Sequence, residues 1–251
     1  MESAVAQAPT PAGTTLRSTA CLPLLVLLVS VAVPSLLAEN PAPSPFKNGE
    51  RLRYELVWPS GLSLGEAAFT ARAGQSGWEF HAEFNASLPN FAVRDKYNSV
   101  ADPELCSQEL IKDFSHGDRK GRESVVFDQQ ENRATRTTLG GGGDSEFDIP
   151  PCARDGLAYL YFLRQSLADG RIPPPDDLNF GGQYMVSVTY AETKTIEVGG
   201  ALVDADLILV DLTGPNSQHS VEVFFGKDDS RRPLLFRVPF DLGVFSLRLL
   251  E

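Results

Sequence analysis

Residues 61–65 read Gly-Leu-Ser-Leu-Gly and match the G-x-S-x-G pattern that surrounds the nucleophile of many serine hydrolases. That chemistry needs a strand, a sharp turn that exposes the serine, and a helix directly after it. The strand-like stretch 51–58 precedes Ser63, but residues 66–74 end in glycine and fit the second strand of a hairpin equally well. Ser63 is therefore a candidate nucleophile for a serine esterase, and a glycine-rich turn is the favoured interpretation.

Other catalytic and metal-binding patterns lack the position or the spacing that their chemistry requires. A Gly-Asp-Ser triplet at 143–145 resembles the block of another esterase class, but it lies in the glycine-rich stretch 139–146, which predicts a flexible loop. The histidines His81, His116 and His219 are far apart and have no partner at metal-ligand spacing. The aspartate clusters lack the order of a calcium loop, and no phosphate loop or dinucleotide glycine pattern occurs. The sequence predicts no metal and no cofactor.

Asp155 and Arg164 are the remaining pair with the chemistry of a site. They are nine residues apart, or about 900° of an α-helix, which places them on opposite faces of a regular helix. Asp155 fits an N-cap or first turn, and Arg164 fits the last turn, where a cation complements the helix dipole. We expect both residues to have a structural role.

The helix that carries this pair spans about residues 153–168 and is apolar almost all the way round. Leu157, Leu160 and Tyr161 share one side, and further apolar residues fill the others. A helix that is apolar on every side must be buried on most of them. In a chain of strands, this indicates a helix in the concave face or the mouth of a curved sheet.

The rest of the chain predicts about ten to twelve strands. Apolar and polar residues alternate from 78 to 86, which is typical of a half-buried strand. Hairpins are predicted around the polar turn 116–121 and around Gly199-Gly200, two residues that tolerate positive φ. Because helices do not alternate with strands, a parallel α/β sheet is not expected. We predict a mainly β fold, a single antiparallel, strongly curved sheet or barrel with one buried or covering helix.

The first forty residues have a composition of their own. Residues 22–38 form an apolar run that follows Arg17, contains two prolines and ends at Ala38, a small residue suited to a cleavage site. This is the anatomy of a secretory signal peptide, and the run is too short for a typical membrane span. An uncleaved anchor is the alternative. We predict a signal peptide over 1–38, a flexible proline-rich tether over 39–48 and a single β-rich domain over 49–251.

The net charge of −11 limits the partners of the protein. Nucleic-acid affinity depends on phosphate neutralisation by lysine and arginine, so a nucleic-acid partner is not expected. A polybasic membrane-binding surface is not expected either, and membrane contact is predicted only through the signal segment, which is removed.

Three cysteines occur, and Cys21 is expected to leave with the signal peptide. The two that remain, Cys106 and Cys152, form an even pair in an exported chain, which predicts a disulfide. Two buried free thiols are the alternative. The disulfide would tie the start of the helix to the strand region around Cys106.

Three motifs, FKNGERLRYELVW, DGLAYLYFLRQSLADG and DDSRRPLLFRVPFDLGVFSLRL, occur in this order along the chain. Together they resemble an exported bacterial family known as domain of unknown function 3108. The resemblance implies an exported compartment and a β-rich fold, and it implies no chemistry. The residues that carry the family pattern are Gly49, Glu50, Leu52, Tyr54, Asp155, Leu157, Tyr161, Phe162, Arg164, Asp228, Arg231 and Pro233.

These observations favour an exported protein of the periplasm or cell envelope that is not an enzyme. We expect it to bind or carry an apolar small molecule or lipid, because a curved sheet with a covering helix can enclose an apolar cavity. Two alternatives stay open: a serine hydrolase that uses Ser63, and a protein-interaction module that assists envelope assembly and has an envelope protein as its partner.

Overall fold

The computed structural model describes residues 44–88, 91–179, 182–240 and 243–250. Their strands form one strongly curled, unclosed sheet in the order β8-β7-β6-β5-β4-β3-β2-β1-β15-β14-β13-β12-β11-β10-β9. Neighbouring strands are antiparallel except for β9 and β10. The strands are β1 Glu50–Val57, β2 Ser63–Ala73, β3 Trp78–Leu88, β4 Phe91–Ala101, β5 Ser107–His116, β6 Arg119–Asp128, β7 Arg133–Leu139, β8 Gly143–Asp148, β9 Arg154–Asp155, β10 Asp176–Asn179, β11 Gln183–Val198, β12 Ala201–Thr213, β13 Gln218–Gly226, β14 Pro233–Phe240 and β15 Gly243–Leu249.

The alternation of apolar residues sets which face of the sheet is buried. In β3, Phe80 and Ala82 are fully buried and point to the same face, as a period of two requires. The mainly β fold with one curved sheet and one helix is confirmed, and so are both predicted hairpins, β5–β6 and β11–β12. Gly199 and Gly200 form the second turn with φ angles of 59° and 81°.

The described residues contain fifteen strands, more than the predicted ten to twelve. The predicted flexible loop 139–146 is wrong in its second half, because Gly143 begins β8. Most residues of β8 are exposed and polar, and the strand is held by its backbone pairing with β7. Strands of this kind have no apolar alternation, so periodicity does not reveal them.

The single described helix, α1, spans Gly156–Ala168 and packs against β3, β4, β9 and β10. It begins three residues later than expected, because Arg154 and Asp155 pair with β10 as the short strand β9. The helix is buried on several sides, as its apolar composition predicted. Leu157 and Tyr161 belong to the core formed with β1–β7 and β12–β15, whereas Leu163 packs against residues of β10–β13. This helix is too short to cross a membrane, and the described residues contain no other helix.

The two ends of the curled sheet approach each other. Gln183, at the start of β11, donates its side-chain amide to the carbonyl oxygen of Asp148 at 2.9 Å. Ser107 N donates to Ala153 O, also at 2.9 Å, and so joins β5 to the segment before the helix. The disulfide Cys106–Cys152 links the same two segments, with the Cα atoms 4.6 Å apart. The curl is therefore held together where α1 begins.

The predicted signal segment 1–38 lies outside the described residues. In the part of the predicted tether 39–48 that is described, Pro45 and Phe46 are buried. The Phe46 ring lies 4.9 Å from the Tyr161 ring of the helix. The packed domain therefore includes residues before the predicted boundary at 49, because this phenylalanine completes the aromatic core.

Candidate functional site

The serine of the G-x-S-x-G pattern does not lie in a nucleophile elbow. Ser63 is exposed and begins β2, which pairs with β1 on one side and β3 on the other. No helix follows the turn, so the geometry that exposes and activates a hydrolase serine is missing. The Gly-Asp-Ser triplet lies in the exposed edge strand β8.

The histidines of the sequence lie in separate places. His81 Nδ1 lies 2.5 Å from Asn98 Oδ1 on the neighbouring strand β4. His116 Nε2 is 2.8 Å from Asp95 Oδ1, and His219 lies in β13. Among residues 44–88, 91–179, 182–240 and 243–250, no group of three His, Cys, Asp or Glu side chains is arranged to hold a metal ion.

The central feature of the interior is a buried ion pair that fixes α1 to the sheet. Arg164 is fully buried and donates from both terminal nitrogens to Glu50 of β1, at 2.6 and 3.1 Å. It also donates to the carbonyl oxygen of Ser230 at 2.9 Å. The expectation that Arg164 complements the helix dipole is wrong, because α1 has no basic residue in its last turn. The arginine instead joins the helix to both halves of the sheet.

Asp155 anchors the other end of the helix and is its N-cap, as expected. Its Oδ1 accepts from the backbone N–H groups of Leu157 and Ala158. Its Oδ2 accepts from the hydroxyls of Ser99 and Ser107 at 2.5 and 2.7 Å. Burial raises the pKa of Asp155, and these hydrogen bonds offset part of that rise. The carboxylate thus connects the helix to β4 and β5.

The remaining family-pattern residues are packed or paired in the structure. Tyr54 is fully buried and donates its hydroxyl to the carbonyl oxygen of Pro233 at 2.7 Å. The Tyr161 ring stacks on Phe80 with centroids 4.0 Å apart. Arg231, with a φ of 43°, donates to Asp206 at 2.7 Å, and Gly49 has a φ of 83° that favours glycine.

Beside the helix, the concave face of the sheet forms an apolar pocket of about 250 Å³. We call it the helix pocket; its walls come from β2–β4, α1, β10 and β12–β14. The polar side chains that line it are Tyr97 and Tyr159. The Tyr159 hydroxyl is buried without a hydrogen-bond partner in the described part of the chain. Its apolar lining includes Leu160, Leu178, Val210, Val223 and Phe236.

Residues 53–249 match the family model described as "Protein of unknown function (DUF3108)". The chain belongs to this family. The resemblance found in the sequence is therefore confirmed, and the match runs from β1 to β15 and includes α1. A search of curated proteins gave no match.

The fold of this DUF3108 chain resembles that of a solved structure. This is a crystal structure of a beta-barrel-like protein of the domain of unknown function DUF1849 from Brucella abortus. The TM-score is 0.58, with 8% sequence identity over 80% of this chain and 95% of that chain. At this identity the similarity concerns the fold alone, and it agrees with a strongly curled β-sheet around the helix.

Sequence reasoning missed most residues of the helix pocket and the partners of Asp155. Val210 and Val223 lie in stretches with an apolar pattern, but periodicity does not show which strands face each other. The sequence does not identify Ser99 and Ser107 as partners of Asp155, because a serine in a strand cannot be distinguished by pattern from other polar residues. Arg154 was also missed; its guanidinium lies 3.8 Å from the Phe162 ring centre and pairs with Asp176 at 3.1 Å.

Asp155→Ala is expected to destabilise this DUF3108 domain by at least about 2.5 kcal/mol at neutral pH. The variant loses the helix cap, worth about 0.5–2 kcal/mol, and leaves two buried serine hydroxyls without an acceptor, at about 1–3 kcal/mol for each unsatisfied group. Urea unfolding followed by circular dichroism measures the difference. Asp128→Ala is the matched control, because Asp128 accepts two backbone N–H bonds in an exposed turn, and we expect it to cost less than about 1 kcal/mol.

The pH dependence of this difference has a defined sign. The folded state binds the Asp155 proton more tightly than the unfolded chain, because burial raises the pKa. The contribution of Asp155 to the free energy of unfolding therefore decreases as the pH rises from the ordinary aspartate pKa to the raised pKa of the folded state. At higher pH this contribution stays constant. The gap between wild type and Asp155→Ala should widen as the pH is lowered through that window. A gap that narrows on acidification would contradict the raised pKa.

Proposed function

We propose that this protein is a non-catalytic binding protein that holds a small apolar molecule, or the apolar part of a larger one, in the helix pocket. The observation that carries the proposal is the pocket itself, whose lining is apolar apart from two tyrosines. Ligand sites are typically concave and mostly apolar, with a few polar groups that fix orientation. The volume of about 250 Å³ is slightly below the usual range of about 300–1,000 Å³, which favours a short molecule or a single acyl chain.

The polar group that fixes orientation in this proposal is Tyr159. A buried hydroxyl without a partner is costly, at about 1–3 kcal/mol, and one polar atom on the ligand would satisfy it. Tyr159 lies on α1, which Asp155 holds at its N-terminus and Glu50 holds through Arg164. The hydroxyl is therefore positioned before any ligand binds, which lowers the entropic cost of binding.

The proposed location is the periplasm or cell envelope. The apolar run 22–38 behind Arg17 supports export. The pairing of Cys106 with Cys152 supports it too, because disulfides persist in oxidising compartments and are rare in the cytosol. An apolar cargo fits a compartment in which lipids and other apolar molecules must cross water.

The test is native mass spectrometry of the protein purified without detergent from its own exported fraction, with organic extraction of bound material. A reproducible apolar adduct supports the proposal. A clean apo mass, together with no fluorescence gain from an added naphthylamine dye that brightens in apolar sites, overturns it. That outcome favours the protein-interaction alternative, in which α1 only completes the core.

Val210→Trp is expected to weaken dye binding by at least about tenfold, because the indole side chain on β12 fills the helix pocket. Fluorescence titration measures this. Met185→Trp is the matched control: it adds the same ring on the neighbouring strand, at a side chain 58% exposed to solvent. Equal loss in both variants would show that the dye binds elsewhere.

A further inference from the structure

A second pocket lies on the other side of β10 from the helix pocket. Leu178 lines the helix pocket and the next residue, Asn179, lines the second one. Successive residues of a strand point to opposite faces, so β10 separates the two. The second pocket has a volume of about 330 Å³ and lies where β10–β11 face the concave side of β5–β8. We call it the overlap pocket, because the two ends of the sheet meet there.

The carboxylates of the overlap pocket already have partners. Glu123 accepts from Arg136 at 2.6 Å, and Glu146 lies 3.6 Å from Arg133. Lys112 also lines the pocket. No carboxylate lies within ion-pair distance of its ammonium group among the residues that the structure describes, although Glu123 is its cross-strand partner on β6, so Lys112 is a lining cation without an ion pair.

Lys112 and Asn179 are two donors of this pocket that have no hydrogen-bond acceptor among the described residues. Lys112 is half-buried on β5, and its Nζ lies 5.2 Å from the centre of the Phe114 ring. Asn179 is only 5% exposed, and its Nδ2 has no hydrogen-bond partner within the described residues. A buried amide without an acceptor is costly, and a ligand oxygen would satisfy it. The two donors come from the opposite walls of the pocket.

The remaining wall is apolar and consists of Leu110, Val125 and Phe147. Leu110 of β5 and Val125 of β6 are cross-strand partners, and Phe147 lies on β8, two strands further along the sheet. A molecule that fills this pocket therefore meets an apolar surface on β5, β6 and β8, with the charged donor Lys112 beside that surface and the amide donor Asn179 on β10 opposite it. This combination matches a carboxylate attached to a short apolar body.

We propose that the overlap pocket is a second binding site, which takes a small carboxylic acid with an apolar tail. Lys112 Nζ and Asn179 Nδ2 donate to the carboxylate, and Leu110, Val125 and Phe147 contact the tail. The net charge of −11 does not oppose this, because salt screens charges beyond about 8–10 Å. The site does not depend on the helix pocket, since β10 lies between them.

The test compares octanoate with octan-1-ol by isothermal titration calorimetry on the full chain. The ratio is measured in the Val210→Trp background, in which the helix pocket is blocked. The two probes have the same tail, so their affinity ratio then reports the carboxylate alone. We expect octanoate to bind about tenfold more tightly than the alcohol, as one charge-assisted contact allows. Lys112→Met should reduce this ratio to about one, and Asn179→Leu should reduce it in part.

Two control variants distinguish binding in the overlap pocket from binding at a surface lysine or in the helix pocket. Lys120→Met removes an exposed lysine of the neighbouring strand, and it should leave the ratio unchanged. Val210→Trp blocks the helix pocket and should weaken octanol binding without removing the octanoate site. Equal binding of both probes, no octanoate binding at millimolar concentration, or an octanoate preference that survives Lys112→Met would each overturn the second site and leave the helix pocket unaffected.

Discussion

Glu50→Ala is expected to destabilise the folded domain by about 3–5 kcal/mol, the usual cost of leaving one member of a buried ion pair without its partner. The Arg164 side chain is 1% exposed and that of Glu50 is 13% exposed. Without the carboxylate, the guanidinium keeps the Ser230 carbonyl as its acceptor among the described residues. Chemical denaturation followed by tryptophan fluorescence measures the change in the free energy of unfolding.

The control for this effect is the exposed pair Lys96–Glu83, in which the side chains are 64% and 45% exposed at a distance of 3.4 Å. Glu83→Ala should cost less than about 1 kcal/mol, because solvent screens such pairs. The double variant Glu50→Leu/Arg164→Met should recover most of the stability, since an apolar pair of similar volume avoids the desolvation of both charges. A double variant as unstable as Glu50→Ala would show that packing, rather than the orphaned charge, accounts for the loss.

Removal of the disulfide has the second large expected effect. Cys106→Ala/Cys152→Ala should lower the free energy of unfolding by up to about 4 kcal/mol, because the bond closes a span with a sequence separation of 46 residues and restricts the unfolded chain. Denaturation of the double variant and of the wild type, each with and without dithiothreitol, measures it.

The reduced wild type is the internal control for the disulfide prediction. Reductant should lower wild-type stability toward that of the double variant and should leave the double variant unchanged. An identical wild-type transition with and without dithiothreitol would mean that the bond does not contribute to stability. The bond lies next to Asp155, so its loss should also loosen the N-terminal end of α1, seen as faster amide hydrogen exchange there.

Much of the fold could be predicted from the sequence, because the deciding interactions are local. The alternation in β3, the Gly199-Gly200 hairpin and the apolar helix each depend on residues close together in the chain. Strand β8 was harder, because an edge strand is held by backbone pairing and needs no apolar face. The start of α1 was also misplaced, since the partner that draws Arg154 and Asp155 into β9 is a strand more than twenty residues later.

The interior sites could not be predicted in the same way. Arg164 is 114 residues from Glu50, and Asp155 is 56 residues from Ser99. The helix sequence alone suggested a role for Arg164 at the helix end, and the tertiary structure gave it a buried partner on β1. Both pockets combine side chains from several strands, and no local pattern marks Lys112 or Asn179 as neighbours across a cavity.

By itself, the sequence determined the β-rich class, the covering helix, the pairing of two cysteines and the family of this chain, because each of these depends on short-range patterns or on residue identity. Only the tertiary structure decided that Glu50 and Ser230 hold Arg164, that Ser99 and Ser107 hold Asp155, and that the helix pocket and the overlap pocket lie on opposite sides of β10. The physical reason is that curling brings distant strands face to face. Which side chains then meet depends on the register and curvature of the whole sheet, and no single segment contains that information.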